Sequence, residues 1–460
     1  MAKFSVEEIA RAVKGRLICG PAHKIKGVVI DSRKVTRGCL FVAIIGERFD
    51  GHDYVRTALN NGAAAALISN PFLALSEAKR TLILVDNTVR ALQDLAAYHR
   101  SRFKNLVVAG VTGSNGKTTV KNMIADVFSA KYKTLKTDGN LNNHIGVPLT
   151  LLNLKSTHRA AVIEMGMNAP GEIARLTEIT RPSIGVITNV GAAHVGMLGS
   201  VAAVREAKGE LLKHMPKNGV AILNAGDTHS VPLIKKSGRR TVTFGKSGEA
   251  DIQLVDTWME RDKRTLVISR GAKETVVKIK LIGIKDPENA AAAFAAGLAA
   301  KIPEAKIALK LSKVEPEKMR MAPVKLSNGA LIINDAYNAN PQSAEAALRT
   351  VAEMKKHGRF YFVFGDMLEL GEKSEEAHME IGRLAVKLGV DGIFTIGALA
   401  EHAAREAKSH GVKTVTGKTH WEIAGKLSGL LRSGDVILIK GSRGAAMEKA
   451  AERLQEIVEG

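Results

Sequence analysis

An apolar run, Leu106-Val107-Val108-Ala109-Gly110-Val111, passes through Thr112-Gly113-Ser114-Asn115-Gly116-Lys117-Thr118-Thr119 into a helix-forming stretch over 117–128. A buried strand that turns through glycines into a helix brings the helix's free N–H groups and positive dipole end to the carboxyl edge of the strand, where phosphate is attracted. The glycines let the backbone approach the anion, Lys117 neutralises terminal phosphates, and Thr118 carries the hydroxyl that such loops place on Mg²⁺. A strict Walker pattern is not met, because Gly110 stands one residue too early and Val111 takes the place of the first glycine. The Gly-x-x-Gly-Lys-Thr core in its strand-to-helix setting carries the reading, against that of a plain Gly-rich turn.

Further apolar runs at 160–163 and 184–187 alternate with helical segments, the pattern of parallel strands joined by crossover helices. Upstream, runs at 28–30, 39–45, 64–68 and 82–85 end in a helix-like 89–102 and read as a small α/β unit. Beyond a charged, Pro-containing stretch near 314–323, strands at 330–333, 360–364, 392–396 and 435–439 with helices at 343–355 and 375–388 read as a third α/β unit. Single cores stop growing at roughly 250 to 300 residues, so a chain of 460 residues divides into about three domains. The expected boundaries are 1–104, 105–314 and 315–460.

Composition, at 45% apolar and 25% charged, sets disorder and fibres aside. The net charge of +21 raises nucleic acid or anionic lipid as partners, but Lys and Arg are scattered in nothing longer than pairs such as Lys235-Lys236, Arg239-Arg240 and Lys355-Lys356. A solvated surface is the expectation. Two cysteines, Cys19 and Cys39, suggest free thiols in a reducing compartment. Glu7 and Glu8 fall where a signal peptide needs apolar residues, and the apolar stretch at 290–300 is far short of the ~20 residues of a membrane span. A soluble cytoplasmic protein without membrane insertion is expected.

Several residues stand at ligand-bearing positions. Glu164 closes the run 160–163 at the carboxyl edge of the sheet, as a Mg²⁺ ligand or as a capping or solvated acid. His194 follows the strand after 184–190, where an imidazole joins a metal site or is simply solvated. Lys208, on a helical run at 202–212, reads by itself as a surface lysine. Asp335-Ala336-Tyr337-Asn338-Ala339-Asn340-Pro341 follows a strand and sets an acid, a phenol and two amides in a loop, for a ligand or as an ordinary turn.

In order and over essentially the whole chain, these pieces resemble the Mur ligase family. Asp31-Ser32-Arg33 and Gly46-Glu47-Arg48-Phe49-Asp50-Gly51-His52 are similar to its UDP-binding region, which implies substrate contacts at Ser32 and Arg33. Thr137-Asp138-Gly139-Asn140-Leu141-Asn142-Asn143 resembles its muramyl-peptide loop and implicates Asn140, Asn142 and Asn143. Glu164-Met165-Gly166-Met167, the His194 loop and Glu206-Ala207-Lys208-Gly209-Glu210 fall in family order. The resemblance implies that Gly113, Ser114, Asn115, Gly116, Lys117, Thr118 and Thr119 bind ATP. It also implies that Thr118 and Glu164 hold Mg²⁺, that His194 supports a second Mg²⁺, and that Lys208 is the lysine family members carry as a carbamate. Lys117, His194 and Lys208 would then be the catalytic set. Arg320 would serve the nucleotide, Asp335 its ribose, Asn289 the adenine, and Tyr337 and Asn338 the substrate.

The implied fold is α/β in three domains: a small N-terminal UDP-binding domain, a central parallel-sheet P-loop ATPase domain and a C-terminal Rossmann-like domain that closes over both. The implied activity is ATP-dependent addition of D-alanyl-D-alanine to UDP-N-acetylmuramoyl-tripeptide through an acyl phosphate, by a monomer acting on small molecules and not on nucleic acid. The Asp335 to Pro341 motif favours that member, as does the absence of the Asp-Asn-Pro-Arg motif of the neighbouring diaminopimelate-adding ligase. Two positions depart from the family pattern: Gly283-Ile284-Lys285-Asp286-Pro287-Glu288-Asn289, where relatives show Gly-x-His-Asn-x-x-Asn, and His144, where an acid is frequent. A folate polyglutamylating ligase is the rival within the fold, disfavoured by the first domain. A basic nucleic-acid-binding protein is the rival outside it, disfavoured by 4% aromatic residues and no recognisable module.

Overall fold

The computed structural model describes residues 3–18, 24–76, 80–191, 193, 195–260, 263–355 and 357–460. Cys19 and His194 lie outside them; Cys39 is a buried free thiol. At the start of the chain, Ser5 caps the helix Val6–Val13 by accepting from Glu8 N (3.1 Å), while the Glu8 carboxylate accepts from Ser5 N (2.9 Å). A five-stranded sheet follows in the order Arg16–Ile18, Leu82–Leu84, Ala65–Ile68, Leu40–Val42, Val28–Val29, antiparallel only at its first pair. The strand expected over 39–45 is confined to Leu40–Val42, because the chain doubles back there and Gly51 N donates to Ile44 O at 2.8 Å.

The central sheet has nine strands in the order Lys273–Ile279, Lys263–Arg270, Ile252–Glu260, Arg240–Gly245, Val220–Asn224, Ile184–Ile187, Val107–Thr112, Ala160–Glu164, Thr134–Lys136. It is parallel from Thr134–Lys136 to Ile252–Glu260, and the last three strands form an antiparallel meander. Alternation along each strand feeds two cores. Val111 and Val162 pack with Val120, Ile124 and Phe294 of the helices Lys117–Phe128 and Asp286–Ala299. Val108 and Ile163 pack with Ile173, Leu176 and Leu211 of Glu172–Thr180 and Val201–His214 on the other face.

The third sheet runs Ala322–Lys325, Leu331–Asp335, Val436–Lys440, Phe360–Gly365, Gly392–Ile396, Lys413–Gly417, antiparallel only at its first pair, in a Rossmann-like arrangement. Residues 312–321, the Pro-containing stretch of the sequence, connect it to the centre without helix or strand. Two buried arginines tie the units together. Arg100, on the helix Thr88–Ser101, donates to Thr180 O (2.9 Å) and Phe103 O (2.8 Å). Arg264 donates to Ile282 O (2.8 Å) and to Glu353 Oε2 (2.7 Å) on the helix Pro341–Met354.

Candidate active site

The strand Val107–Thr112 delivers residues 113–116 to the start of the helix Lys117–Phe128, which Gly116 begins in the left-handed region (φ 77°) with no side-chain cap. The first N–H groups of that helix therefore keep no intrahelical or capping partner, the condition for anion binding. A Cβ on Gly113 would stand 1.9 Å from Thr188 Oγ1, so only glycine fits where the loop crosses the neighbouring strand. The loop is held from that side: Ser114 N donates to Asn189 O (3.0 Å), Asn115 N to Asn189 Oδ1 (2.9 Å), and Thr188 Oγ1 to Asn115 O (2.6 Å). Asp227 braces the bracing segment, its Oδ2 accepting from Val190 N at 2.7 Å. Lys117 Nζ folds over the loop onto Gly113 O (2.8 Å) and Ser114 O (3.1 Å), and burial holds its pKa below the ordinary lysine value.

Thr118 Oγ1 donates to Glu164 Oε1 (3.2 Å), which also accepts from Asn142 Nδ2 (2.8 Å). Glu164 Oε2 is buried and has no hydrogen-bond partner among the described residues. A carboxylate oxygen free of hydrogen bonds among the described residues, with the Lys121 ammonium at 4.0 Å, beside a threonine hydroxyl and under an uncapped helix N-terminus, is a hard-oxygen donor pair that suits Mg²⁺ next to a phosphate. No group of three His, Cys, Asp or Glu suited to a metal occurs among the described residues.

Lys208, on the helix Val201–His214, is 1% exposed and makes no hydrogen bond or ion pair among the described residues. Burial first, then the nearby Lys117 charge, pushes its pKa well below the ordinary lysine value. Burial without a partner favours the uncharged, nucleophilic form of this amine.

The third unit reaches into this site. Arg320 Nη2 donates to Thr118 Oγ1 (3.0 Å), and its guanidinium lies over the Tyr337 ring at 3.7 Å from the centroid. Met319 (φ 61°) and Met321 (φ 50°) flank it in the left-handed region, at roughly 1–2 kcal/mol each, so the chain bears strain to present this side chain. Asn340 caps the helix Pro341–Met354 and donates to Asn115 Oδ1 (2.8 Å), while Asn115 Nδ2 donates to Gln342 Oε1 (3.3 Å). Asp335 accepts from Met321 N (3.1 Å) and pairs with Lys440, whose Nζ also donates to Asn338 O (3.0 Å). Asn289 sits against Gly116, where a Cβ would be 2.6 Å from its Oδ1.

The structure thus brings together Lys117, Thr118, Glu164, Asn142, Arg320, Tyr337 and the Asn115–Asn340 pair, with Asn289 and Lys208 alongside. It leaves Ser32 and Arg33 apart from them: Arg33 is exposed and forms a bidentate pair with Asp31 (2.9 and 3.0 Å). Asn140 is exposed, and Asn143 accepts from Gly146 N (2.8 Å) at the start of the helix Gly146–Leu152. Thr188, Asn189 and Asp227 escaped sequence reasoning, although each lies at or just beyond the carboxyl end of a parallel strand, the position that singled out Glu164.

Comparison with known proteins identifies the family. Family models match over residues 24–100 (Mur ligase family, catalytic domain), 111–297 (Mur ligase middle domain) and 319–443 (Mur ligase, glutamate ligase domain). A UDP-N-acetylmuramoyl-tripeptide--D-alanyl-D-alanine ligase of Bacillus subtilis is 38% identical, covering 99% of both chains, and one of Escherichia coli is 36% identical with the same coverage. A crystal structure of MurF from Acinetobacter baumannii superposes with a TM-score of 0.92 at 31% identity over 99% of both chains. The MurF ligase of Thermotoga maritima in complex with ADP does so at 0.84 and 30% identity over 94% of this chain and 98% of that one. With models matching from end to end and relatives this similar along their whole length, the chain belongs to the Mur ligase family.

Proposed function

We propose that the protein joins D-alanyl-D-alanine to UDP-N-acetylmuramoyl-tripeptide with ATP as the activating substrate. The chemistry rests on the Thr118–Glu164 pair, whose second oxygen takes no hydrogen bond among the described residues, set beside Lys117 and reached by Arg320 from the third unit. The choice of substrates rests on similarity along 99% of the chain to ligases of that name. Residues 1–104 take the UDP end through Ser32 and Arg33, 105–314 the ATP, and 315–460 the dipeptide at Tyr337 and Asn338. No described helix is long and apolar enough to cross a membrane. Work on small molecules in the cytoplasm, as a monomer, is part of the proposal.

A carboxylate is a poor electrophile. Its oxygen attacks the γ-phosphorus of ATP, ADP leaves, and the acyl phosphate now carries a good leaving group. Lys117 and the free N–H groups of the helix Lys117–Phe128 offset the repulsion between the two anions and hold them in line. Thr118 and Glu164 are the residues that would hold Mg²⁺, which when bound would add to the neutralisation of phosphate charge. Lys208, once its uncharged amine had combined with CO₂ and lost a proton, would carry a carbamate whose oxygens, with His194, would hold a second Mg²⁺. The dipeptide amine then attacks the acyl carbon, phosphate departs and the amine proton is lost. Asn115, Asn340 and Gln342 hold the third unit over the phosphate loop, which keeps water from the acyl phosphate.

The test is phosphate release from ATP and Mg²⁺ with UDP-N-acetylmuramoyl-tripeptide, with and without D-alanyl-D-alanine, beside Lys117→Ala. Release that needs both co-substrates and vanishes in the variant is expected. Release with a different amine would overturn the acceptor, and none under any condition would overturn the ligase.

A further inference from the structure

Lys121 lies one turn beyond Lys117 on the same face of the helix Lys117–Phe128, yet it is 1% exposed and cannot be solvated. A lysine buried this fully keeps its place through what it binds. Its Nζ donates to Thr137 O (2.9 Å) and stands 4.0 Å from Glu164 Oε2, the oxygen without a hydrogen-bond partner. Thr137, itself fully buried, accepts through Oγ1 from Glu164 N (3.0 Å) and donates from its own N to Val162 O (3.0 Å). Asn142, five residues on, returns to Glu164 Oε1 (2.8 Å) and accepts through its main-chain oxygen from Gly166 N (2.8 Å). The loop 137–143 is therefore pinned at both ends against Glu164, at its main-chain N–H through Thr137 and at its carboxylate through Asn142, and Lys121 is the pin at its beginning.

We propose that Lys121 is a positioning residue for the UDP-muramoyl-peptide substrate: it fixes the first residue of the loop 137–143 and, through it, the contact that Thr137 Oγ1 makes with the main-chain N–H of Glu164. This rests on the functional reading above for the identity of the ligand. Lys121 differs from Lys117 in its contacts, since Lys117 lies on the phosphate loop and Lys121 on the peptide loop. Its loss should therefore fall on the peptide-bearing substrate and not on ATP.

The experiment is calorimetric binding of UDP-N-acetylmuramoyl-tripeptide without ATP, binding of ADP, and KM values for both substrates, in wild type, Lys121→Met and Thr137→Val. Lys121→Met removes charge and donor at nearly constant volume; Thr137→Val removes only the hydroxyl that holds Glu164 N. Kd and KM for the UDP substrate should rise about tenfold in Lys121→Met and severalfold in Thr137→Val, with ADP binding within twofold of wild type. The double variant should be no worse than Lys121→Met by the full Thr137→Val factor, because both cut one chain of contacts. Equal losses for ADP, or a lowered melting temperature with both affinities unchanged, would leave Lys121 a merely structural residue and overturn the proposal. If Lys121→Met does not fold, an unchanged UDP-substrate Kd in Thr137→Val overturns it alone. Wild type that fails to bind the UDP substrate would instead sink the functional reading.

Discussion

Replacing Asp286 by asparagine removes a carboxylate that the fold holds against its ionisation. Burial pushes its pKa up from 3.8 to about 6, only partly offset by hydrogen bonds from Asn289 and Gly283 N and by the Arg264 charge, with Asp335 adding to the rise. The folded value lies above the unfolded one, so between pH 4 and 6 the folded chain keeps a proton that the unfolded chain has lost. Stability falls as pH rises through that window, and the whole cost stands above it. Two pH units at about 1.4 kcal/mol each put that cost at about 3 kcal/mol. Asp286 Oδ2 accepts from Gly283 N (2.9 Å) and Oδ1 from Asn289 Nδ2 (3.3 Å); an asparagine keeps one acceptor and forfeits the other bond, about 1 kcal/mol. Asp286→Asn, which moves the segment toward the family's Gly-x-His-Asn-x-x-Asn pattern, should gain about 1–2 kcal/mol at pH 7.5 and nothing near pH 4. Urea unfolding followed through Trp258, on the central sheet, reads this directly in a Trp421→Phe background, since the chain has two tryptophans. A variant less stable at pH 7.5, or a difference that does not change with pH, would refute the reasoning.

Gly113→Ala sets a methyl 1.9 Å from Thr188 Oγ1, whose backbone is pinned by Thr188 N donating to Thr112 O (3.0 Å). It should cost about 1–3 kcal/mol and at least a hundredfold in kcat/KM, with Thr188→Ala in the same chain restoring melting temperature more than activity; full activity in Gly113→Ala would count against the loop geometry. Lys208→Met should abolish turnover while raising the melting temperature at pH 7. Burial lowers the Lys208 pKa, so the unfolded chain binds the extra proton and stability climbs with pH up to the ordinary lysine value; the variant should lose that slope, and a variant melting lower at pH 7 would sink the buried-amine reading. Asn340→Ala severs the bond to Asn115 and the cap of Pro341–Met354, which should lower the melting temperature slightly and raise KM for ATP about two- to tenfold with UDP-substrate binding unchanged, and equal KM values would show that the contact does not report on closure.

Much of the scaffold was legible because buried parallel strands are short, apolar and followed by helices. The runs at 106–111, 160–163 and 184–187 became neighbouring strands, and 360–364, 392–396 and 435–439 form the middle of the third sheet. The antiparallel meander Ile252–Glu260, Lys263–Arg270, Lys273–Ile279 was not read, because its exposed face carries Trp258 and Val276 beside charged residues and blurs the two-residue period. Lys413–Gly417, at the sheet edge, has only Val415 as an apolar side chain and gave no run to see.

For the site, the limit was different. Chemistry that depends on position along a strand, as at Glu164, can be inferred from one sequence. Chemistry that depends on what surrounds a side chain cannot. Lys208 and Lys213 lie on the same helix and look alike as letters, yet one is 1% exposed without a partner and the other is exposed. The same holds for Arg320, whose bond to Thr118 spans 202 positions, and which is presented over Tyr337 by a left-handed turn that no local pattern announces. These two cases share a cause: what sets each cation apart, burial without a partner among the described residues for Lys208 and a contact 202 positions away for Arg320, comes from residues distant in the chain. The residues for which the family resemblance added most to the reading are thus those whose function is made by their neighbours.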